Sequence, residues 1–544
     1  MPAIADDIGN GPSVPRRIAD PVDHPILAAI ERWPRISALI FGAAAALGFT
    51  PFHLLPLTLV AMAGLGWLIF RARTWKNAGK LGWLFGVAHF TVANWWIATA
   101  FTFQDAMPHA LGYLAVPLLS VYLAVYPAIG MIAAKLAQRG ASFAWFGVAL
   151  AGCWTLSEWL RSWVFTGFAW DPLGLVLLGG YEWPGIALIL PWIGTYALSG
   201  VVVLLSCALL ALVLHTRFVS AGLLAFAIAA AMLLPRPDTG AQGRVPFTLV
   251  QPDIRQEVLN DPSQFEASFL RTASLSVKRR DIDTRLLLWP ESGVPDYLED
   301  GYPQRYYDQM TVGGDPAFAR FRLGRVAGEG GLLLTGAVDL EIADGRAQAT
   351  RNTVTAIDDR GEIVASYDKA HLVPYGEYLA LRWLLEPLGA TRLVPGALDF
   401  WPGPGPRTLD LGAWGRVSVQ VCYEIIFSGQ VVDRARRPEY IFNPSNDGWF
   451  GPTGPPQHLA QARMRGLEEG LPVLRATTTG ISAVIDANGV VRDVIPRHVP
   501  GRIDGIVPPP KPPTVFARTG NALPVTLAIL AILASLVATR MRRS

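Results

Sequence analysis

Apolar positions are spread unevenly along the chain. Seven apolar segments crowd the first 235 residues, at about 36–50, 54–70, 81–101, 110–134, 143–163, 185–214 and 218–234, and an eighth runs from Leu523 to Ala538. Each is near the roughly 20 residues that an α-helix needs to cross a bilayer, although the first two are short. The pattern predicts eight spanning helices. With the N-terminus inside, the cytoplasmic loops collect Arg16, Arg17, Arg32, Arg35, Arg71, Arg73, Lys76, Lys80, Lys135, Arg139 and Arg217, together with the terminal "RMRRS". The opposite short loops hold only Arg161. Basic residues are retained on the cytoplasmic side of a membrane protein. Both termini are therefore expected in the cytoplasm, and the long stretch between segments seven and eight outside it. The first segment, "ISALIFGAAAALGF", follows a basic flank as a signal peptide does, but further spans follow directly and an uncleaved span is expected.

Between residues 236 and 515 the period changes. Short runs rich in β-formers recur, among them "VPFTLVQ", "TRLLLWP", "GLLLTGAV", "NTVTAID", "RVSVQVC" and "EYIFNPS", with helical patterns at 263–280, 304–327 and 457–469. "DDRG" and "DANG" read as hairpin turns, because Asn and Gly accept positive φ. Mixed strands with interleaved helices predict sheets covered by helices. The Pro-rich "IVPPPKPP" reads as a stiff connector back to the membrane. Four units follow: a disordered cytoplasmic tail (1–25), a membrane domain (26–235), an external α/β domain (236–515), and a last span with a cytoplasmic end (516–544).

Composition agrees with this division. The chain is 51% hydrophobic and 16% charged, against about 25% charged in a typical soluble domain. A net charge of +3 without a Lys/Arg block gives no reason to expect nucleic acid. A transporter would suit the spans, but intramembrane charges are few and no inverted repeat is visible.

The candidate chemistry lies in the external domain. Cys422 is its lone cysteine, so no disulfide forms within it; such a residue is either buried filler or a reactive thiol. "VSVQVCYEII" reads as a strand, on which Cys422 and Glu424 share a face. "LLLWPESGVP" presents Glu291 where a strand should end, and "SYDKAHLVPYGEY" presents Lys369 and Glu377 beside turns. A carboxylate can take a thiol proton, and an ammonium lowers the thiol pKa and stabilises an oxyanion. Each charge alone would more often lie on the surface. Asn352, Asn446 and Asp447 are expected to organise loops, because Asn and Asp cap backbone turns. Trp449 and Phe450, in a Gly/Pro loop, suit either acyl chains and the bilayer interface or ordinary packing. Within the membrane, Glu158 and Arg161 stand three apart on one helix face, as an ion pair or a site for lipid head groups. His89 and Asn94 are expected to make helix–helix hydrogen bonds. No Cys/His ligand cluster, P-loop or GxGxxG after a strand is visible, so no metal and no other cofactor is expected.

Glu, Lys and Cys in this order resemble the nitrilase (carbon–nitrogen hydrolase) superfamily, whose resemblance implies an αββα sandwich. The arrangement of such a domain between the last two of eight spans is similar to bacterial apolipoprotein N-acyltransferases. The motifs that carry this are "TPF", "SEWLRSWVFTGFAW", "WPESGVP", "DKAHLVPYGEY", "CYEIIF", "SNDGWFG", "QHLAQARMRGLEEGLPVLRATTTGISAVID" and "ARTGN". After "QPDIRQ" the chain departs from the family pattern with "EVLND". The resemblance implies Cys422 as acyl-carrying nucleophile, Glu291 as base and Lys369 as charge partner, with Tyr423, Glu424 and Glu377 lining the pocket. It implies a phospholipid donor, usually phosphatidylethanolamine, a diacylglyceryl apolipoprotein acceptor, and an inner-membrane location with a periplasmic catalytic domain. A membrane-tethered amidase or nitrilase would use the same three residues with water as the second nucleophile.

Overall fold

The computed structural model describes residues 25–103, 108–234, 243–278, 284–389, 391–394 and 398–541. The expected tail, 1–25, lies outside the described residues except for Pro25.

All eight apolar segments are helical: Pro34–Ala46, Leu55–Arg71, Trp75–Ala93, Leu111–Ala137, Phe143–Arg161, Leu190–Leu214, Phe218–Met232 and Ala522–Met541. Among the described residues, Leu111–Ala137, Ile186–Leu214 and Ala522–Met541 are long and apolar enough to cross a membrane. Trp75–Ala93 joins them if it is counted with Trp95–Phe103, which continues it after a bend of 51°. Pro34–Ala46, Leu55–Arg71 and Phe218–Met232 are shorter apolar helices. Small residues let these helices approach closely, which is how helices associate where burial of apolar surface gives no drive. A Cβ on Gly42 would stand 2.2 Å from the Phe85 carbonyl oxygen, and one on Gly152 would stand 2.5 Å from that of Ala528. The second contact draws the last helix back against the fifth, where Ser535 donates to the Trp145 carbonyl at 2.7 Å.

Among the described residues, twelve strands form the other unit: β1 (Pro246–Gln251), β2 (Leu286–Leu288), β3 (Leu332–Ala343), β4 (Arg346–Asp358), β5 (Ile363–Asp368), β6 (Thr408–Asp410), β7 (Arg416–Val419), β8 (Tyr440–Ser445), β9 (Val473–Thr477), β10 (Ser482–Ile485), β11 (Val491–Ile495) and β12 (Gly501–Ile506). They make two six-stranded sheets, ordered β12-β1-β2-β3-β4-β5 and β11-β10-β9-β8-β7-β6. Each has a parallel centre and antiparallel flanks: β1, β2 and β3 run parallel in one, β7, β8 and β9 in the other. Leu249, Leu288, Leu334 and Val354 of the first sheet meet Val417, Val419, Phe442 and Leu474 of the second in one buried core. Helices Phe265–Leu275 and Pro316–Ala327 cover the outer face of the first sheet. Helix Gly454–Glu469 covers the second. The layers are αββα.

The hairpin turns lie where "DDRG" and "DANG" place them, with Gly361 at φ +86 and Gly489 at φ +70. The helical pattern at 304–327 is not one helix. It divides into Gln304–Met310 and Pro316–Ala327, because Gly313 and Gly314 both take φ +64 and the Asp315 carboxylate caps the new helix at Ala317 N–H, 2.9 Å away. The pattern at 263–280 shortens to Phe265–Leu275.

Helix Gly454–Glu469 also joins the two units. Gln457 accepts from Trp170 Nε1 at 3.0 Å and donates to the Ala93 carbonyl at 3.3 Å. Arg463 donates to the carbonyls of Gly179 and Gly180, at 2.9 and 2.5 Å. Glu468 accepts from the Thr195 N–H at 2.6 Å, a group freed because Gly194, at φ +74, breaks the helix Leu190–Leu214. Polar side chains are thus spent on backbone of the apolar-helix unit that has no helical partner.

Candidate active site

Strand β7 ends at Val419, and Cys422 does not continue it. Cys422 takes φ +48 and opens a short 3-10 helix, Cys422–Ile426. The expectation that Cys422 and Glu424 share a strand face is therefore corrected. Glu424 turns back instead. One carboxylate oxygen accepts from Val421 N–H at 2.7 Å. The other accepts from Ala370 N–H and Tyr367 O–H, each at 2.8 Å, and from His371 N–H at 3.2 Å. Burial raises its pKa to about 7, with the Val421 and Ala370 N–H groups opposing that rise. Glu424 ties the turn that carries Cys422 to the turn that carries Lys369.

Lys369 is the first residue past β5 and is 2% exposed. Its ammonium donates to Glu377 at 3.0 Å and to Glu291 at 3.4 Å. Burial works against that charge, but Glu377, then Glu291 and the Cys422 sulfur, outweigh it and hold the pKa above the usual lysine range. Lys369 is a fixed cation and is unsuited to be a base.

Glu291 lies three residues past β2. Its Oε2 accepts from the backbone N–H of Asn446 at 2.8 Å, and its Oε1 from the Asn352 amide at 2.7 Å. Asn352 is not in a loop, as expected, but in β4. Its amide nitrogen also donates to Glu377 Oε1 at 2.9 Å, so one side chain spans both carboxylates. The second Glu377 oxygen accepts from Val373 N–H at 2.8 Å. Around Cys422, burial and then Glu291 raise the thiol pKa above its usual range, with Lys369 opposing them. The thiol is protonated at neutral pH and needs a base when it attacks.

Asn446 caps its turn as expected, accepting from Gly448 N–H at 3.1 Å. Gln256, the last residue before the chain departs from the family pattern, accepts from the Asn446 amide at 2.8 Å. Asp447 is no loop cap. It is buried and accepts from the Arg475 guanidinium at 2.8 and 2.7 Å. Burial opposes its charge, yet Arg475 holds its carboxyl below the usual range. Cys422, Asp447 and His458 present atoms within 4.8 Å of one another, but Arg475 already saturates Asp447 and disfavours a further cation. The sequence reading passed over His458 and Arg475. A buried acid requires a buried partner, and that requirement is the signal that points to them.

Trp449 and Phe450 are half-buried joints with the unit of apolar helices. Phe450 meets Trp96 at 4.5 Å between ring centroids, and Trp449 meets Phe103 at 5.7 Å. Tyr423 reaches the Gly167 carbonyl at 3.5 Å. Glu158 and Arg161 form a buried pair at 3.8 Å. Arg161 also donates to the carbonyls of Phe168 and Trp170, at 2.9 and 2.7 Å, and Glu158 accepts from Leu173 N–H at 2.8 Å. The pair folds the loop after its helix and makes none of its hydrogen bonds with Glu291, Lys369 or Cys422. His89 is buried against the rings of Phe49, Phe85 and Phe90, and Asn94 donates to the Phe90 carbonyl of its own helix at 3.0 Å.

Known families match both units. Residues 41–208 match the family model described as the apolipoprotein N-acyltransferase N-terminal domain, and residues 248–496 match carbon-nitrogen hydrolase. The apolipoprotein N-acyltransferase of Rhodopseudomonas palustris is 32% identical over 94% of this chain and 96% of its own. That of Bradyrhizobium diazoefficiens is 34% identical over 94% and 95%. Among solved structures, an amidase from Nesterenkonia sp. aligns over 52% of this chain and 95% of its own, at 19% identity and a TM-score of 0.31. Identity above three in ten across nearly the whole length decides the matter: the chain belongs to the apolipoprotein N-acyltransferase family.

Proposed function

We propose that this protein is a membrane-bound N-acyltransferase that moves an acyl chain from a phospholipid to a lipoprotein through a thioester on Cys422. Glu291 takes the Cys422 proton as the sulfur attacks the ester carbonyl. Lys369 faces the charge that develops on the carbonyl oxygen. Collapse expels the lysophospholipid oxygen, which takes the proton back from Glu291. The α-amine of an S-diacylglyceryl-cysteine then attacks the thioester, loses a proton to Glu291, and the thiol is restored as the amide forms. Glu377 and Asn352 hold Lys369 and Glu291, Glu424 holds the two turns together, and Tyr423 faces the membrane domain.

The observation that carries this reading is the meeting of Glu291, Lys369 and a buried Cys422 in one cluster, in a unit joined to apolar helices by the buried helix Gly454–Glu469. Both substrates are bilayer-anchored, which gives those helices a purpose. The eight helices serve as spans, with residues 26–235 and 516–544 in the inner membrane and at its cytoplasmic side, and residues 236–515 in the periplasm. The distribution of basic residues supports that orientation. Phosphatidylethanolamine is the donor that the family resemblance favours.

Purified enzyme given phospholipid without acceptor should gain one acyl mass, removable by neutral hydroxylamine and located on the peptide that holds Cys422. A diacylglyceryl-cysteinyl peptide should discharge it into an amide. Discharge by water alone would make the protein a hydrolase, and product formed without acyl mass on Cys422 would refute the thioester.

A further inference from the structure

The turn at Cys422 is strained, and one side chain holds its carbonyl. A φ of +48 is strained for a residue with a Cβ, and such conformations persist only where their surroundings over-determine them. The Cys422 carbonyl oxygen lies 3.0 Å from Nε2 of His458. A carbonyl only accepts, so Nε2 carries the hydrogen. Across the ring, Nδ1 lies 3.1 Å from the Arg475 guanidinium and 3.1 Å from Asp447. Arg475 and Asp447 already neutralise one another, and a protonated imidazole would add a buried charge without a counterion. The neutral ring presents its Nδ1 lone pair to the Arg475 N–H, and the same guanidinium nitrogen also bonds Asp447. Trp170 and Phe450, with ring centroids at 5.1 and 5.6 Å, pack against the imidazole.

We infer that His458 is a positioning residue for acyl transfer: its neutral Nε2–H holds the Cys422 carbonyl, keeps the turn left-handed, and thereby sets the direction in which the sulfur meets the acyl carbon. Asp447 and Arg475 act through it, by fixing the ring and its tautomer. The inference rests on Cys422 being the nucleophile. A displacement of about 1 Å at a reacting atom is enough to cost about 100-fold in rate.

The reach of the substitute decides the test. In His458→Gln the amide nitrogen extends about as far as Nε2 and can still donate to Cys422, whereas in His458→Asn it stops near the Nδ1 position, and His458→Leu has no donor. Full-length enzymes are compared by thermal unfolding midpoint and by kcat and KM for acyl-enzyme formation from phospholipid. His458→Leu and His458→Asn should lose about 10- to 100-fold in kcat with KM within about twofold, and His458→Gln should stay within about threefold of wild type. Equal turnover by folded Gln and Asn enzymes would overturn the inference. Should the Leu and Asn enzymes fail to fold, the Gln enzyme decides alone: a loss of about 10-fold or more at an unchanged midpoint overturns it. A parallel Cys422→Ala enzyme separates the two readings, because turnover retained there refutes the nucleophile whatever the His458 variants do.

Discussion

The Lys369 ammonium lies closer to Glu377, at 3.0 Å, than to Glu291, at 3.4 Å. Glu377 is therefore the principal counterion, which suits the role of base proposed for Glu291. Two carboxylates bonded to the same ammonium and the same amide are thus given different tasks. Glu291→Gln keeps the size of the side chain but removes the acceptor, and should slow acylation by about 100-fold or more. Glu377→Gln keeps an oxygen for Lys369 and should cost less, about 10-fold. Single-turnover acylation followed by intact mass checks both, and equal losses would refute this division of roles.

The thiol offers a sharper contrast. Burial and the charge of Glu291 raise the Cys422 pKa, so deprotonation is disfavoured at neutral pH. Removing a negative neighbour lowers a thiol pKa, and removing a positive one raises it. At a fixed pH below the thiol pKa, Glu291→Gln should therefore be alkylated by iodoacetamide faster than wild type, while its turnover falls. Lys369→Met should be alkylated more slowly and also turn over poorly. In wild type the alkylation rate should keep rising with pH beyond 9 without a plateau. A plateau near neutral pH would mean that a thiolate is preformed and no base is needed.

The topology is testable by reporter fusion. Truncation after Asp261 should give a periplasmic signal and fusion after Ser544 a cytoplasmic one, because the basic loops all fall on one side. A cytoplasmic signal from the Asp261 fusion would place catalysis on the wrong side for an exported lipoprotein.

Glu291, Lys369 and Glu377 were visible in the sequence because Pro and Gly punctuate the strand ends that present them, and the "DDRG" and "DANG" turns because Gly marks positive φ. What was not visible depends on partners far along the chain. "VSVQVCYEII" has the alternation of a strand, but Glu424 bonds Ala370 and His371, and His458 bonds the Cys422 carbonyl; together they override the local preference. Asn352 reads as a turn residue by type, yet its strand is fixed by β3 and β5 on either side. "QHLAQARMRGLEEG" reads as a polar surface helix, but every residue from Gln457 to Glu469 is buried. Its Gln457, Arg463 and Glu468 are matched to the backbone of Ala93, Gly179, Gly180 and Thr195. A polar helix betrays nothing of such an environment until its partners are known.

That joint makes the last prediction. Arg465 and Glu468 form a buried pair at 2.9 Å. Glu468 also accepts from Thr195 and from Ser428 O–H, the latter at 2.8 Å, and Arg465 donates to the Ile426 carbonyl at 3.1 Å, beside the nucleophile's turn. Replacing one partner leaves the other charged and buried, which costs about 3–5 kcal/mol, whereas replacing both by apolar groups of similar volume is far less harmful. Arg465→Met should therefore lower the unfolding midpoint by several degrees in detergent. Glu468→Gln keeps an oxygen for Thr195 and should lower it less. Arg465→Met with Glu468→Leu should recover most of the loss from Arg465→Met, although the Thr195 and Ser428 bonds stay broken. Thermal unfolding of the three enzymes, with acylation rates taken alongside, checks this. Additive losses in the double variant would mean that the pair is not coupled and that the joint draws its strength from Gln457 and Arg463 alone.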